Sequence, residues 1–381
     1  YNIGGGENPK YHFMQSRAAI PGFMPRPQQW DWSADKNQLQ VLRDAMGMGV
    51  NIVEGFSNSP PYWMTISGSV TGAPNGSDNL AAKFYRDFAR YLVRVTQHFH
   101  QVLSINFRTL EPLNEPSSSW WRFGGRQEGC HFGWPAQQKI IALVGAGLRE
   151  LGLATTVAAP DENTIDGTLA AVNAYSPAAQ AVLSQINTHS YGGSARSALR
   201  QAAARLGKRL VMSEYGDNDA SGMTMARRIV LDMRELRPTA WIYWQAIDGG
   251  GWGFMRNASN GPNMDMPFNK KYYVMMQFSR YIRPGFRFLG IDDDRSIAAW
   301  HPASRRLVVV TVNADVADHT MELQLNNFTR YGASAQMIRT SSAENVRILK
   351  PVPIKTRKLV LYAKAQSVTT WLVHNCVPIG A

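Results

Sequence analysis

Cysteine is scarce in this sequence, and long apolar runs are missing. Cys130 and Cys376 are the only cysteines among 381 residues, so no disulfide framework and no cysteine metal site is expected. The sequence leaves two alternatives equally open. Either the two cysteines form one disulfide, or both are unpaired thiols. No apolar run reaches 18 residues, so no transmembrane helix is predicted. The first residues, YNIGGG, also lack the charged and apolar regions of a signal peptide.

Clustered charge is missing as well. The formal net charge is +12, which attracts anionic partners, but the Lys and Arg residues are scattered and form no recognised nucleic-acid-binding module. We therefore predict no nucleic-acid partner. An acidic polysaccharide or a cell-wall surface would be attracted by the same charge. A composition of 44% hydrophobic and 18% charged residues is typical of a globular protein and argues against disorder.

One segment combines a predicted strand with a carboxylate at its end. Residues 105–110 are rich in β-branched and aromatic side chains, and Pro112 and Pro116 then interrupt any ladder. Asn114 and Glu115 lie between those prolines. In a parallel α/β barrel the carboxyl ends of the strands carry the active site, so Glu115 is a catalytic candidate. A solvated loop charge is the alternative.

A second segment repeats this pattern. Residues 209–216 form an apolar run that ends at Glu214, which lies 99 residues after Glu115. Because one βα unit takes roughly 30 residues, the two glutamates are predicted on strands n and n+3, which face each other across a barrel mouth. Glycoside hydrolysis requires two such carboxylates, one as proton donor and one as nucleophile or base.

Strand and helix patterns alternate up to residue 283 and then change. Seven barrel strands are predicted, beginning near Tyr1, Asn51, Ile105, Thr155, Gln185, Arg209 and Ala240. Helices are predicted between all of them except the Thr155 and Gln185 strands, including one that Ser33 caps and one that begins at Asp78. Residues 284–381 contain short strands and turns without long helical patterns. We predict a catalytic (β/α) barrel over 1–283 and a β-sandwich over 284–381.

Aromatic side chains surround the first glutamate in sequence. Trp120 and Trp121 follow Glu115 in a loop, and Trp63 lies in the loop 57–64 after an earlier strand. Exposed indoles beside a carboxylate suggest stacking on sugar rings. The alternative is that about half of these rings pack the loop against the protein.

Five motifs together resemble glycoside hydrolase family 30. They are EGFSNSPPYWM at 54–64, RTLEPLNEP at 108–116, QEGC at 127–130, INTHSYGG at 186–193 and VMSEYGD at 211–217. The sequence is most similar to the endo-β-1,6-galactanase branch, which shares YNIGGGENP and a Trp-rich loop after the NEP motif. The resemblance implies a (β/α)8 TIM-type barrel with an attached β-sandwich. It also implies a retaining mechanism with Glu115 as acid/base and Glu214 as nucleophile.

The proposed roles make chemical demands on the site. Glu115 must hold a proton at the working pH while Glu214 is ionised, and the neighbours of each must set that difference. Asn114 is predicted to bind the sugar 2-hydroxyl. If Glu214 were not the nucleophile, Asp161, Glu162 or Asp217 would be tested first.

Four further residues complete the predicted substrate site. His189 and Tyr191 end the strand before the Glu214 strand and are expected to orient Glu214. Trp244 on the last strand is expected to form the floor of the subsite for the cleaved sugar. Glu54 is a candidate for contacts with galactose hydroxyls. For His189 and Glu54, a purely structural role is the alternative.

The resemblance also exposes a departure. In the family the YNIGGG strand is the second of the barrel, so we expect this chain to lack the first strand and the segment before it. The Tyr1 strand and the Ala240 strand would then leave a gap in the ring.

The predicted partner is a polysaccharide, β-1,6-galactan, with β-1,6-glucan or xylan cleavage and non-catalytic carbohydrate binding as alternatives. No cofactor and no metal is predicted, and the protein is expected to be a secreted monomer. Three Asn-X-Ser/Thr tripeptides, at 75–77, 257–259 and 327–329, are compatible with secretion.

Overall fold

The computed structural model describes residues 1–11, 13–15, 18–257 and 267–380. Residues 258 and 259 of one glycosylation tripeptide lie outside this part. The chain divides into two compact units. The first comprises Tyr1–Ser213 and Pro238–Trp241, and the second Glu214–Arg237 and Ile242–Ala381. The predicted domain boundary at residue 284 stays a prediction.

The described residues contain eight α-helices: α1 (Lys36–Gly47), α2 (Tyr85–Gln101), α3 (Trp134–Glu150), α4 (Ile165–Ala174), α5 (Pro177–Val182), α6 (Arg196–Arg205), α7 (Met223–Glu235) and α8 (Lys270–Ser279). Nine strands precede residue 290: β1 (Glu54–Phe56), β2 (Thr109–Glu111), β3 (Thr156–Thr164), β4 (Leu183–Gly192), β5 (Arg209–Tyr215), β6 (Trp241–Tyr243), β7 (Ile247–Asp248), β8 (Met255–Arg256) and β9 (Arg287–Leu289). Ten follow: β10 (Ser296–His301), β11 (Arg306–Asn313), β12 (His319–Gln324), β13 (Phe328–Arg330), β14 (Ser334–Ser341), β15 (Glu344–Ile348), β16 (Val352–Pro353), β17 (Lys358–Ala363), β18 (Ser367–Val373) and β19 (Val377–Pro378).

Strands β1 to β6 form one sheet in chain order. The pairs β1–β2, β2–β3 and β3–β4 are parallel, as βα alternation requires. The predicted Tyr1 strand is reduced to isolated parallel bridges, one of them between Asn2 and Phe56. Helices α4 and α5, which connect β3 to β4, were not predicted. In a parallel sheet the strands' carboxyl ends share one edge, which fixes where active-site loops emerge.

The core of the first unit lies between the parallel sheet and its helices. On α2, Phe88, Leu92, Val95 and Phe99 recur at helical spacing and are fully buried, so they form the apolar face of this helix. The predicted start of this helix at Asp78 is wrong. The Asp78 carboxylate instead accepts hydrogen bonds within the loop before α3, and the α-helix begins seven residues later.

The predicted cap of α1 is also wrong. Asp35 occupies the N-cap position with a left-handed φ of 57°. Ser33 instead donates its backbone N–H and its hydroxyl to the carboxylate of Asp31. A serine can make this local turn at lower cost than it can reach a helix that starts three residues later.

Antiparallel sheets dominate the second unit. The largest has the strand order β15-β14-β18-β11-β10-β9, with β16 attached to β14, and β12 pairs with β17 in a smaller sheet. Val309 and Trp371 of the larger sheet share one apolar core with Leu359 and Leu361 of β17. Two sheets that bury their inner faces against each other form a β-sandwich, as predicted.

Cys130 and Cys376 are both buried and free, so the possibility of one disulfide between them is not realised. None of the helices in the described residues is long and apolar enough to cross a membrane.

Candidate active site

Glu115 is held in an unusual backbone conformation just beyond β2. Its φ is 46°, in the left-handed region that side chains other than glycine rarely adopt. The Glu115 backbone N–H donates to the carbonyl of Asp161 at 2.8 Å, and Asp161 itself has a φ of 61°. Two neighbouring strand ends thereby fix the position of Glu115, which is only 6% exposed.

One oxygen of the Glu115 carboxylate has two nitrogen partners. Asn163 Nδ2 donates to Glu115 Oε1 at 2.6 Å, and His189 Nδ1 lies 3.1 Å from the same oxygen. On the other side of its ring, His189 Nε2 lies 3.2 Å from Asp161 Oδ2. Sequence reasoning missed Asn163. Its only signal was its place in the polar segment that follows a predicted strand, two residues after Asp161.

The remaining carboxylates on β3 are bound to neighbouring side chains. The Ser213 hydroxyl donates to Asp161 Oδ1. Ser117 donates both its backbone N–H and its hydroxyl to Glu162, at 3.1 and 2.6 Å. Burial raises the pKa of Glu162. These contacts make both groups better suited to shaping the site than to attacking a substrate.

Glu214 is the penultimate residue of β5 and is partly buried. Immediately after it, burial raises the pKa of Tyr215 to about 12. The backbone N–H of Trp244 donates to the Tyr215 carbonyl at 2.8 Å, and the peptide bond after Trp244 is cis. Trp244 is therefore tied to the backbone beside Glu214.

Asp217, the third alternative nucleophile, is bound to a buried lysine. Lys271 Nζ donates to its carboxylate at 2.9 Å and to its carbonyl at 2.8 Å, and it also donates to the Tyr243 hydroxyl. Breaking such a pair leaves an uncompensated buried charge, so loss of either partner would destabilise the segment that follows Glu214.

The two tryptophans after Glu115 differ in exposure. Trp121 is 7% exposed, and its indole N–H donates to the Glu115 carbonyl at 3.0 Å. Trp120 is 52% exposed and is the ring that is free to stack on a sugar. Trp63 donates its indole N–H to the Met24 carbonyl at 2.9 Å and packs edge-on against Phe84, so it contributes to the core.

Glu54 lies within a chain of polar contacts inside the first unit. Its carboxylate pairs with Arg108, and Gln185 Nε2 donates to it at 3.0 Å. The chain continues through Asn187, which donates to Glu111 at 2.8 Å. Burial, and then the charge of Asp161, raise the pKa of Glu111. Since the Glu54 carboxylate is already paired, the structural alternative for this residue gains support.

Asn114 and Tyr191 border the same site. Asn114 is buried, and its Oδ1 has no hydrogen-bond partner among the described residues. Tyr191 is partly buried and packs edge-on against His189, with ring centroids 5.8 Å apart. The catalytic and binding roles given to these residues, and the expected absence of metal, stay predictions.

The comparisons with known proteins agree with this fold and with these motifs. Residues 15–201 match the model of "O-Glycosyl hydrolase family 30". The match confirms the predicted resemblance to glycoside hydrolase family 30.

Two relatives with named activities are similar to this chain in sequence. The chain is 40% identical over 291 residues to an endo-β-1,6-galactanase of Hypocrea rufa, covering 76% of this chain and 60% of that protein. It is 24% identical to an exo-β-1,6-galactobiohydrolase of Bifidobacterium longum, covering 86% of this chain and 30% of that protein. The chain thus spans less than two thirds of either relative.

The solved structure is a family 30 subfamily 8 xylanase of Clostridium acetobutylicum. It superposes with a TM-score of 0.75 at 21% identity, over 90% of this chain and 85% of that one. At this identity the likeness concerns the fold alone, and it confirms the predicted barrel with its β-sandwich. The resemblance to the endo-β-1,6-galactanase branch rests on the Hypocrea rufa protein.

Proposed function

We propose that the protein is a retaining, endo-acting glycoside hydrolase that cleaves β-1,6-galactan. The observation that supports this most is the setting of Glu115. It is a buried carboxylate at a strand's carboxyl end, with an amide and an imidazole on one oxygen. The similarity to an endo-β-1,6-galactanase supports the choice of substrate.

The proposed reaction has two steps. Glu214 attacks the anomeric carbon and forms a covalent glycosyl-enzyme, while Glu115 gives its proton to the departing glycosidic oxygen. Glu115 then takes a proton from water, whose oxygen attacks the anomeric carbon and releases Glu214. The second step restores both carboxyl groups. Asn114 binds the sugar 2-hydroxyl, and Trp120 stacks on a sugar further along the chain.

The natural substrate is proposed to be an extracellular galactan that carries some uronic acid. A net charge of +12 attracts such chains, and the attraction weakens as salt increases. Secretion and a monomeric state belong to the same proposal. β-1,6-Glucan and xylan are the competing substrates, since a pocket separates galactose from glucose by hydrogen bonds to a single hydroxyl.

A substrate panel tests the proposal. Wild type, Glu115→Gln and Glu214→Gln are incubated with β-1,6-galactan, β-1,6-glucan and glucuronoxylan, and products are separated by size. We expect wild type to release short oligosaccharides fastest from galactan, and each variant to lose roughly 10³-fold or more in turnover with binding retained. Faster cleavage of glucan or xylan overturns the galactanase assignment. Release of single terminal units alone overturns the endo mode, and full activity in Glu214→Gln overturns its role as nucleophile.

A further inference from the structure

The two oxygens of the Glu115 carboxylate have different surroundings. Oε1 accepts the amide N–H of Asn163 at 2.6 Å and lies 3.1 Å from His189 Nδ1. Oε2 has no hydrogen-bond partner among the residues that the structure describes. A carboxyl group that acts as a general acid carries its proton on one oxygen only, so this asymmetry has a chemical consequence.

Asn163 reaches Glu115 because of the strand register. It is the penultimate residue of β3, where Glu162 and Thr164 on either side of it pair with Thr188 and Gly192 of β4. The pairing register between β3 and β4 shifts on both sides of Glu162. Asp161, which has a left-handed backbone, lies directly before it. These features place the short Asn163 side chain beside the carboxylate that follows β2.

Two nitrogen groups, from Asn163 and His189, occupy the surroundings of Oε1. An amide Nδ2 can only donate, and a hydrogen bond from it stabilises a carboxylate more than a carboxylic acid. His189 has carboxylate oxygens at both ring nitrogens, Glu115 Oε1 at 3.1 Å and Asp161 Oδ2 at 3.2 Å. In the tautomer with its proton on Nδ1, His189 also donates to Oε1. The lone pairs of Oε1 are then occupied by two N–H groups.

We infer that Asn163 is a positioning residue for the acid/base glutamate, directing the transferable proton of Glu115 to Oε2. Oε2 is the oxygen that faces the glycosidic oxygen during catalysis. This inference rests on the proposed function, in which Glu115 is the acid/base. The titratable groups that face Glu115 from the packed strands are His189 on β4 and Asp161 on β3, with Glu111 on β2 beyond them. Glu214 joins them in the proposed mechanism.

The test compares two classes of substrate in the whole chain. Cleavage of polysaccharide needs a proton on a poor leaving group, whereas an aryl β-galactoside with an acidic phenol needs little help. We expect Asn163→Ala to lower kcat/KM roughly 10- to 100-fold on β-1,6-galactan but less than about 3-fold on the activated aryl glycoside. We also expect the alkaline limb of the pH profile on galactan to move up, because the charged form has lost a donor. Asn163→Asp, which places a second negative charge there, moves the limb further.

Thr168→Val is the matched control. It removes another buried hydrogen bond of the same region, from Thr168 to the Thr188 hydroxyl at 2.7 Å, without touching Glu115. We expect it to lower the melting temperature about as much as Asn163→Ala does, with both kcat/KM values and the pH profile unchanged. Asn163→Ser serves if the alanine variant does not fold.

The outcomes distinguish a failure of the positioning role from a failure of the proposed function. An equal loss on both substrates with an unmoved pH limb overturns the positioning role and leaves the hydrolase intact. An inactive wild type, or full activity of Glu115→Gln, overturns the proposed function and the inference with it.

Discussion

Glu128 accepts a hydrogen bond from the backbone N–H of Gly5 at 2.7 Å, and its other carboxyl oxygen has no partner among the described residues. Burial raises the pKa of Glu128 to about 8 from an ordinary value near 4.5. The native state thus keeps a proton that the unfolded chain loses between those pH values. Stability from this group is complete below about pH 4.5 and falls as the pH rises towards 8.

Glu128→Gln should remove this pH dependence. We expect wild type and variant to have similar free energies of unfolding at pH 4.5, and the variant to be about 3 to 5 kcal/mol more stable at pH 8.5. Urea unfolding at both pH values measures the difference. Glu322→Gln, on an exposed pair with Lys358, is the control and should show no such divergence. A constant difference between wild type and Glu128→Gln across this range would contradict the prediction.

Asp161 combines a left-handed backbone with a carboxylate beside His189. Asparagine tolerates this backbone better than alanine, so we expect Asp161→Asn to be about 1 kcal/mol more stable than Asp161→Ala. Both variants remove the charge 3.2 Å from His189 Nε2 and should lower kcat on galactan roughly 10-fold or more. Thermal unfolding and steady-state kinetics check the two effects separately. Wild-type kcat in Asp161→Asn would show that the carboxylate has no part in catalysis.

Gly129 makes room for the indole that supports Glu115. A Cβ on Gly129 would lie 2.1 Å from Trp121 Cε3, so alanine must displace the ring that donates to the Glu115 carbonyl. We expect Gly129→Ala to cost about 1 to 3 kcal/mol and to lower kcat. Gly47→Ala at the end of α1 meets no atom within 4 Å and should raise stability by about 0.4 to 1 kcal/mol with kcat unchanged. Equal kinetics in both variants would refute the role of Trp121.

Variants of Trp120 and Trp121 should distinguish a role in substrate binding from a role in supporting the site. Trp120→Ala removes an exposed ring, and we expect KM for galactan to rise roughly 5- to 20-fold while kcat and the melting temperature stay near wild type. Trp121→Phe instead removes the N–H that donates to the Glu115 carbonyl at 3.0 Å, so kcat and the melting temperature should fall. Kinetics and thermal unfolding of both variants decide the matter. A change in KM for Trp121→Phe alone would reverse the assignment.

Local patterns predicted much of the fold. The 3.6-residue period of α2 depends on residues close in sequence, and so do the strands that end near Glu115 and Glu214. Element ends were less accurate. Ile105, predicted to begin a strand, donates its backbone N–H to the Phe99 carbonyl in the last turn of α2, and the strand β2 begins only at Thr109.

Contacts that depend on register could not be predicted. Asn163 reaches Glu115 from the neighbouring strand, and nothing in the local sequence indicates which side chain will face which oxygen. Tryptophans pose the same difficulty. Trp120 and Trp121 are adjacent in the loop, yet only the structure distinguishes the exposed ring from the buried one.

Strand β18 has a consequence for synthesis of the protein. It lies between β11 and β14 in the large antiparallel sheet, every residue of it is buried, and it comprises residues 367–373. While a ribosome is still translating the preceding residues, β11 and β14 lack the strand that joins them, so the large sheet cannot be completed until β18 has emerged. The nascent second unit therefore keeps the facing edges of β11 and β14 open until β18 has been made.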